Sequence, residues 1–406
     1  MPEKIVIVGA GQAAAQAIDT LRKKGFKGSL TLVGEEPLLP YQRPPLSKKY
    51  LAGTLERERL LLRPEPFYRD HQVETHLGRR ALEIDRAAQR VRLDDGEWLA
   101  YDALLLATGS RPRPLPVPGH DLHGVHFLRS AADVEKIREE LAAARRLVVV
   151  GGGYIGLEVA ATAREAGLQV TVLEMAERVM NRVTCEAISA FYTAQHTSRG
   201  VRIVCNARVQ SMAEHTGSNR VRAVICEDGS EHPADLVIVG VGVVAADELA
   251  RAAGLECTVG IVVDELCRTG DPHIYAAGDC TSQPNLHYGR RMRLESVDNA
   301  FEQGASAALN MLRLDTPHNK LPWFWSDQYD LKMIIIGISI GYDTVVLRGD
   351  PASRSFSACY LRDGELIAMD TVNNPKDQMA ARKLIAAHAR PNPTKLADIA
   401  IPLKDC

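Results

Sequence analysis

The sequence predicts an α/β fold: two doubly wound parallel sheets, the second inserted in the first, followed by a C-terminal α+β domain with a mostly antiparallel sheet. Three observations predict it. An apolar strand that breaks into a glycine-rich turn and resumes as a helix occurs twice, at 4–14 and 146–161. A later apolar strand, 274–280, ends in Gly278-Asp279, so the chain returns to a sheet begun at its N-terminus. Past about residue 321 the alternation of strand and helix gives way to short strands in succession.

The first turn reads Gly9-x-Gly11-x-x-Ala14, and the second Gly151-x-Gly153-x-x-Gly156. In each, the first glycine permits the tight turn and the second lets a pyrophosphate approach the backbone at the helix N-terminus. The third small residue lets helix and strand pack closely. The strands that follow, 29–33 and 169–174, lead to Glu35 and Glu174, about 26 and 23 residues past the first glycine. That spacing suits an acid on the ribose hydroxyls. The first two sheets are therefore read as Rossmann-like dinucleotide-binding domains, the first at 1–112 and 240–319, the second at 113–239, with the α+β domain at 320–406.

The remaining elements follow in order. The first helix runs to about Lys24 and stops near Gly25. Prolines 40, 44 and 45 stiffen a non-helical approach to a helix at Ser47 and aim Arg43 and Lys48. On composition alone, the same stretch reads as a solvated surface loop. Short strands at 73–76, 81–84, 90–93 and 103–107 end at Ala107-Thr108-Gly109. A linker with prolines 112, 114, 116 and 118 leads to a helix at 131–143. The second nucleotide fold holds helices 154–166 and 184–199 and closes with strands near 201–226 and 234–239. On the return, Asp279 sits where it can accept hydrogen bonds from a ribityl chain, and a helix at 294–313 follows. The last stretch has Trp323-Phe-Trp325, strands at 332–337, 344–348, 356–362 and 365–370, and a helix at 376–388.

Bulk numbers exclude several classes. A chain of 406 residues holds two or three domains. Apolar residues at 46% and charged residues at 25% are those of an ordinary globular protein. A formal charge of −2 gives no global field, so neither nucleic acid nor a membrane is expected as a partner. No apolar run approaches the roughly 20 residues of a membrane span. Met1-Pro-Glu-Lys-Ile5 leads straight into a strand without a signal pattern, so a cytoplasmic location is expected. The cysteines, at 185, 205, 226, 257, 267, 280, 359 and 406, form no tight pair, so no metal or iron–sulfur ligand set is expected.

Two dinucleotide sites in one chain suggest a resident flavin and a diffusing nicotinamide. Hydride transfer then belongs to the cofactors, and the protein positions them. A flavin is needed where electrons arrive in pairs and leave singly.

Six motifs carry a resemblance: Pro40-Tyr-Gln-Arg-Pro-Pro-Leu-Ser-Lys48, Ala107-Thr-Gly109, Gly151-Gly-Gly-Tyr-Ile-Gly-Leu-Glu158, Gly278-Asp279, Arg293-Leu-Glu-Ser-Val297 and Pro322-Trp-Phe-Trp-Ser-Asp-Gln328. In order and over nearly the whole chain, they resemble the NADH-dependent, FAD-containing ferredoxin reductases of bacterial class I cytochrome P450 and Rieske-type dioxygenase systems. The resemblance implies a ferredoxin–NAD+ reductase with FAD and NADH as cofactors. Its implied partner is a small acidic [2Fe-2S] ferredoxin, serving a P450 or Rieske oxygenase. It implies FAD contacts at Gly9, Ala10, Gly11, Ala13, Glu35, Arg43, Lys48, Leu82, Ala107, Thr108, Gly109, Arg129, Gly278, Asp279, Val297 and Trp325. Those for NADH fall at Gly151, Gly153, Tyr154, Ile155, Gly156, Glu158, Glu174, Arg182 and Gly242. Lys48 and Glu158 are the implied catalytic pair. Glu174, which would repel a 2′-phosphate, selects NADH over NADPH. Arg290, Arg291, Arg293, Lys332 and Lys404 are expected to face the acidic ferredoxin.

Two departures from the family stand out. Val297 replaces a Trp found in some dioxygenase reductases, which leans toward the P450-serving branch. Ala245-Ala246 stands where the family often has Pro-Asn. A flavin disulfide or peroxide reductase would need a reactive cysteine after the first nucleotide motif, and the earliest here is Cys185. A rubredoxin reductase and a redox-sensing flavoprotein of the apoptosis-inducing-factor type are the remaining alternatives.

Overall fold

Five parallel strands build the first sheet, in the order Ile274–Ala276, Ala103–Leu106, Lys4–Val8, Ser29–Gly34, Val73–Leu77. Lys4 pairs with Ser29 and Ile5 with Ala103. The strands are covered on both faces, which is why they read as unbroken apolar runs. Ile5, Ile7, Leu30, Leu32 and Leu105 face Ile18, Leu21 and Met311. Val6, Val8, Leu104, Leu106 and Ile274 face Val91, Leu93 and Tyr101. On the first face lie helices Gln12–Lys23 and Val297–Met311. Gly304 lets them approach, since a Cβ there would strike the Ala13 carbonyl.

A second parallel sheet has the order Arg202–Val204, Gln169–Leu173, Arg146–Val150, Leu236–Val239, Val125–Phe127. The third large sheet is antiparallel: Trp323–Gln328, Leu331–Gly337, Glu365–Val372, Phe356–Arg362, Thr344–Arg348. Buried Arg348 fastens the C-terminal tail to it. Its Nε lies 2.9 Å from Asp377 Oδ2, and its guanidinium donates to the carbonyls of Leu396, Asp398 and Ile401.

The computed structural model describes residues 2–406. They divide into two compact units. One comprises the chain up to Gln42, Arg57–Arg111 and Val243–Pro322; the other comprises Arg43–Glu56, Pro112–Gly242 and Trp323–Cys406. The C-terminal segment thus shares a unit with the second parallel sheet. Its first strand lies on helix Tyr154–Glu165, with the Phe324 and Tyr154 rings 5.0 Å apart.

Several local expectations differ. No helix starts at Ser47: a single 3-10 turn, Pro44–Ser47, takes both prolines at its first positions, where a missing N–H costs nothing. The helix expected from 294 starts at Val297, because the Ser296 side chain caps it by accepting from Asn299 N at 3.1 Å. The stretch from 376 splits into a 3-10 turn, Pro375–Asp377, and a helix, Gln378–Ala386. A strand Trp98–Ala100 and a hairpin of Thr281–Asn285 with Arg290–Met292 were not foreseen. Among the described residues, no helix is long and apolar enough to cross a membrane.

Candidate active site

Each unit carries one glycine cradle, at the point where its sheet reverses strand order. Gly9 and Gly151 both have φ +109°, where only glycine is at ease. A Cβ on them would strike the carbonyls of Ala107 and Gly240 respectively. A Cβ on Gly156 would strike the Gly151 carbonyl, so the third glycine closes the turn.

Helices Gln12–Lys23 and Tyr154–Glu165 begin at Gly11 and Gly153 with no side-chain cap. Helices Ala131–Leu141 and Val297–Met311, by contrast, are capped by Ser130 and Ser296. A Cβ on Gly11 or Gly153 would meet nothing within 4 Å. Two helix N-termini therefore present unclaimed N–H groups and a partial positive charge to open space, which fits a pyrophosphate in each unit. Ala10 and Ala13 belong to the first of these turns, Tyr154 and Ile155 to the second.

In the first unit, Glu35 is exposed just past its strand, 3.8 Å from Arg80 Nε, and Leu82 is exposed on the strand Ala81–Asp85. The Ala107-Thr108-Gly109 turn is tied to the segment after Gly242: Thr108 Oγ1 donates to the Ala246 carbonyl at 2.6 Å, and Ala246 N donates to the Gly109 carbonyl at 3.0 Å. Those bonds use Ala246 backbone only, so the alanine pair holds its place without the family's Pro-Asn side chains. Gly278 N donates to Gln303 Oε1 at 2.8 Å, and Ser110 Oγ donates to Asp279 Oδ2 at 2.9 Å. Sequence reasoning missed Gln303; a mid-helix glutamine carries no signal of its own. Val297 is the first residue of its helix.

Two of the expected partner arginines also make bonds inside this unit, although Arg291 stays exposed. Arg291 donates to the Val263 carbonyl at 2.8 Å and to that of Ser282. Arg293 pairs with Glu295 at 2.5 Å. Arg290 is exposed, as are Lys332 and Lys404 in the second unit.

In the second unit, Lys48 Nζ lies 2.8 Å from Glu158 Oε2, and the glutamate side chain is only 5% exposed. Ser47 donates to the same oxygen at 2.5 Å, and Ser326 donates to Oε1 at 2.7 Å. Thr162, one turn beyond Glu158, donates to the Ser47 carbonyl. The buried carboxylate is thus matched by one cation and two hydroxyls. Arg43 donates to the Arg129 carbonyl at 2.6 Å. Trp325 stacks on Trp323 with centroids 5.5 Å apart, and Arg382 lies over Trp323.

Glu174 is already engaged: its carboxylate accepts from Gly152 N at 2.7 Å and Ala176 N at 2.8 Å, which fixes it beside the glycine turn. The Arg182 guanidinium reaches toward Gly242, where a Cβ would lie 3.8 Å from it. Ser47 and Ser326 were missed as site residues, although both stand inside quoted motifs. Period-two alternation from Trp325 puts Ser326 and Gln328 together on the opposite face, and that signal was available.

The chain is similar to known proteins over nearly its whole length. Residues 3–304 match the family model described as pyridine nucleotide-disulphide oxidoreductase, and residues 323–406 match that described as reductase C-terminal. Rhodocoxin reductase of Rhodococcus erythropolis is 44% identical, covering 98% of this chain and 93% of that protein. Putidaredoxin reductase of Pseudomonas putida is 43% identical, covering 99% and 96%. The crystal structure of the ferredoxin reductase for the CYP199A2 system of Rhodopseudomonas palustris superposes with a TM-score of 0.96 at 41% identity, covering 99% of both chains.

Proposed function

The chain belongs to the pyridine nucleotide-disulphide oxidoreductase family, and on that premise we propose that it is an FAD-containing, NADH-dependent ferredoxin reductase. It takes hydride from NADH and passes electrons singly to a small acidic [2Fe-2S] ferredoxin, which in turn serves a cytochrome P450 or a Rieske-type oxygenase. Family membership implies a flavin and a nicotinamide nucleotide, and the two uncapped cradles supply a place for each pyrophosphate. The names of the relatives, two of them reductases of named redox proteins, support the acceptor class.

The observation that carries the reading is the Lys48–Glu158 pair. A bound flavin supplies the conversion from paired to single electrons; the chain's residues bind, orient and balance charge. The Lys48 cation, 2.8 Å from its carboxylate, stabilises negative charge arriving with hydride, in a site largely closed to water. Glu158, an acceptor held by three donors, orients the nicotinamide carboxamide. Glu174 takes the adenosine ribose hydroxyls of NADH and repels the 2′-phosphate of NADPH. Asp279 and the Ala107–Gly109 turn line the flavin side. Arg290, Lys332 and Lys404 steer the acidic partner.

The test is NADH-driven reduction of cytochrome c with and without an added [2Fe-2S] ferredoxin. Reduction should depend on the ferredoxin and weaken as salt rises. A rate indifferent to ferredoxin would overturn the reading.

A further inference from the structure

The Lys48–Glu158 pair sits at the end of a longer chain of donors, all within the second unit. A carboxylate only accepts hydrogen bonds, so its partners must donate. Ser326 gives its single hydroxyl proton to Glu158 Oε1, which leaves its oxygen free to accept from Gln328 Nε2 at 3.2 Å. That sets the Gln328 amide with its carbonyl outward, toward His196 Nε2 at 2.9 Å. The imidazole must then carry its proton on Nε2 and keep Nδ1 bare, and Nδ1 lies 3.3 Å from the Tyr329 hydroxyl. Each donor in the series points toward Glu158. His196 is fully buried, and burial pushes its pKa below the ordinary range, which keeps the ring in the neutral form that this tautomer requires.

The chain is built from four elements. Ser47 comes from the Pro44–Ser47 turn, Glu158 from helix Tyr154–Glu165, His196 from helix Glu186–Ser198, and Ser326, Gln328 and Tyr329 from one strand and its turn. Ser47 completes the arrangement on the other carboxylate oxygen. Oε1 receives one hydroxyl and keeps a lone pair for a ligand donor. The carboxylate is therefore fixed in orientation before any nucleotide arrives.

We propose that Ser326 and Ser47 are positioning residues that aim the Glu158 carboxylate at the nicotinamide end of the dinucleotide, with Ser326 itself held through Gln328 by His196. This rests on the reading of Glu158 as the nicotinamide-facing carboxylate.

The test compares two ligands on the FAD-loaded protein by titration calorimetry. The first is 1,4,5,6-tetrahydro-NAD, a non-reducing analogue of NADH; the second is ADP-ribose, which shares the pyrophosphate and ribose but lacks the nicotinamide. Ser326→Ala should weaken the analogue about tenfold and leave ADP-ribose binding unchanged. Ser326→Thr, which keeps the hydroxyl, should restore the analogue. Ser47→Ala should show the same selective loss, through the other oxygen. Parallel loss of both ligands, no loss in either alanine variant, or a wild type that binds the analogue no better than ADP-ribose would each overturn the proposal. Neither ligand reacts, so the comparison reads positioning alone. A wild-type flavin that NADH fails to reduce would instead sink the proposed function.

Discussion

Lys48 carries two burdens that one substitution separates. Its ammonium offsets a carboxylate that is 5% exposed, and under the proposed function it also supplies positive charge to the reacting centre. Removing it should slow flavin reduction by NADH about a hundredfold, the cost of losing one preorganised charge stabiliser. Stopped-flow single turnover of Lys48→Ala measures this, while the visible flavin spectrum reports that FAD stays bound; an unchanged limiting rate would refute the role. The variant also leaves Glu158 buried with only the Ser47 and Ser326 hydroxyls, so its melting temperature should fall. Lys48→Ala with Glu158→Gln should recover the stability but not the rate, because the uncompensated charge is gone. At this scale the sequence was legible where residue type alone dictates the role, as at Gly9 and Gly151, whose φ only glycine accepts. The pairing of Lys48 with Glu158 was legible only through motif resemblance. Ser47, Ser326, Gln328 and His196 were not read, because a hydroxyl or amide has no fixed partner until the fold brings residues such as Glu158 and Ser326, 168 positions apart, together.

Elements were legible where a single period runs long enough. Helices Gln12–Lys23 and Tyr154–Glu165 and the strands before them have apolar faces that admit one packing. The hairpin Thr281–Asn285 with Arg290–Met292 was not legible. It has no apolar run; its own Arg291 ties one strand to the other through the Ser282 carbonyl and reaches out of the hairpin to the Val263 carbonyl. The same bonds explain why a cluster of arginines that looked like a docking surface is partly a fastener. Helix crossing supplies a prediction at this scale. Gly304 of helix Val297–Met311 meets Ala13 so closely that an added Cβ would strike backbone, which cannot rotate away. Gly304→Ala should therefore destabilise by about 1–3 kcal/mol despite alanine's better helix propensity. It should also reduce FAD occupancy, since Ala13 lies in the first turn after Gly11. Chemical denaturation and the flavin-to-protein absorbance ratio measure both effects, and a stabilised variant would show that the helices can move apart at no cost.

Across the whole molecule, two buried groups give the stability opposite responses to pH, one in each compact unit. His318, in the first unit, lies beside Asn299, and burial pushes it down to about 4 from its ordinary 6.5. Between those values the unfolded chain takes up a proton that the native imidazole refuses, so its contribution is lost as pH falls from about 6.5 toward 4. Asp370, in the second unit, is held in the antiparallel sheet, where Tyr360 donates to it and Cys185 N donates to Tyr360. Burial pushes it up to about 7 from 3.8. Here the native carboxyl keeps a proton that the unfolded chain has already released, so its contribution is lost as pH rises from about 4 to 7. Single substitutions isolate each response. Asp370→Asn keeps an acceptor for Tyr360 and cannot ionise, so its melting temperature should gain on the wild type as pH rises from 4.5 to 7.5. His318→Gln should gain on the wild type in the opposite direction, as pH falls from 7 to 4.5. Calorimetry at saturating FAD reads both differences without assuming that the two units melt together. A pH-independent offset in either variant would show that the group titrates in the folded protein as it does in the unfolded chain.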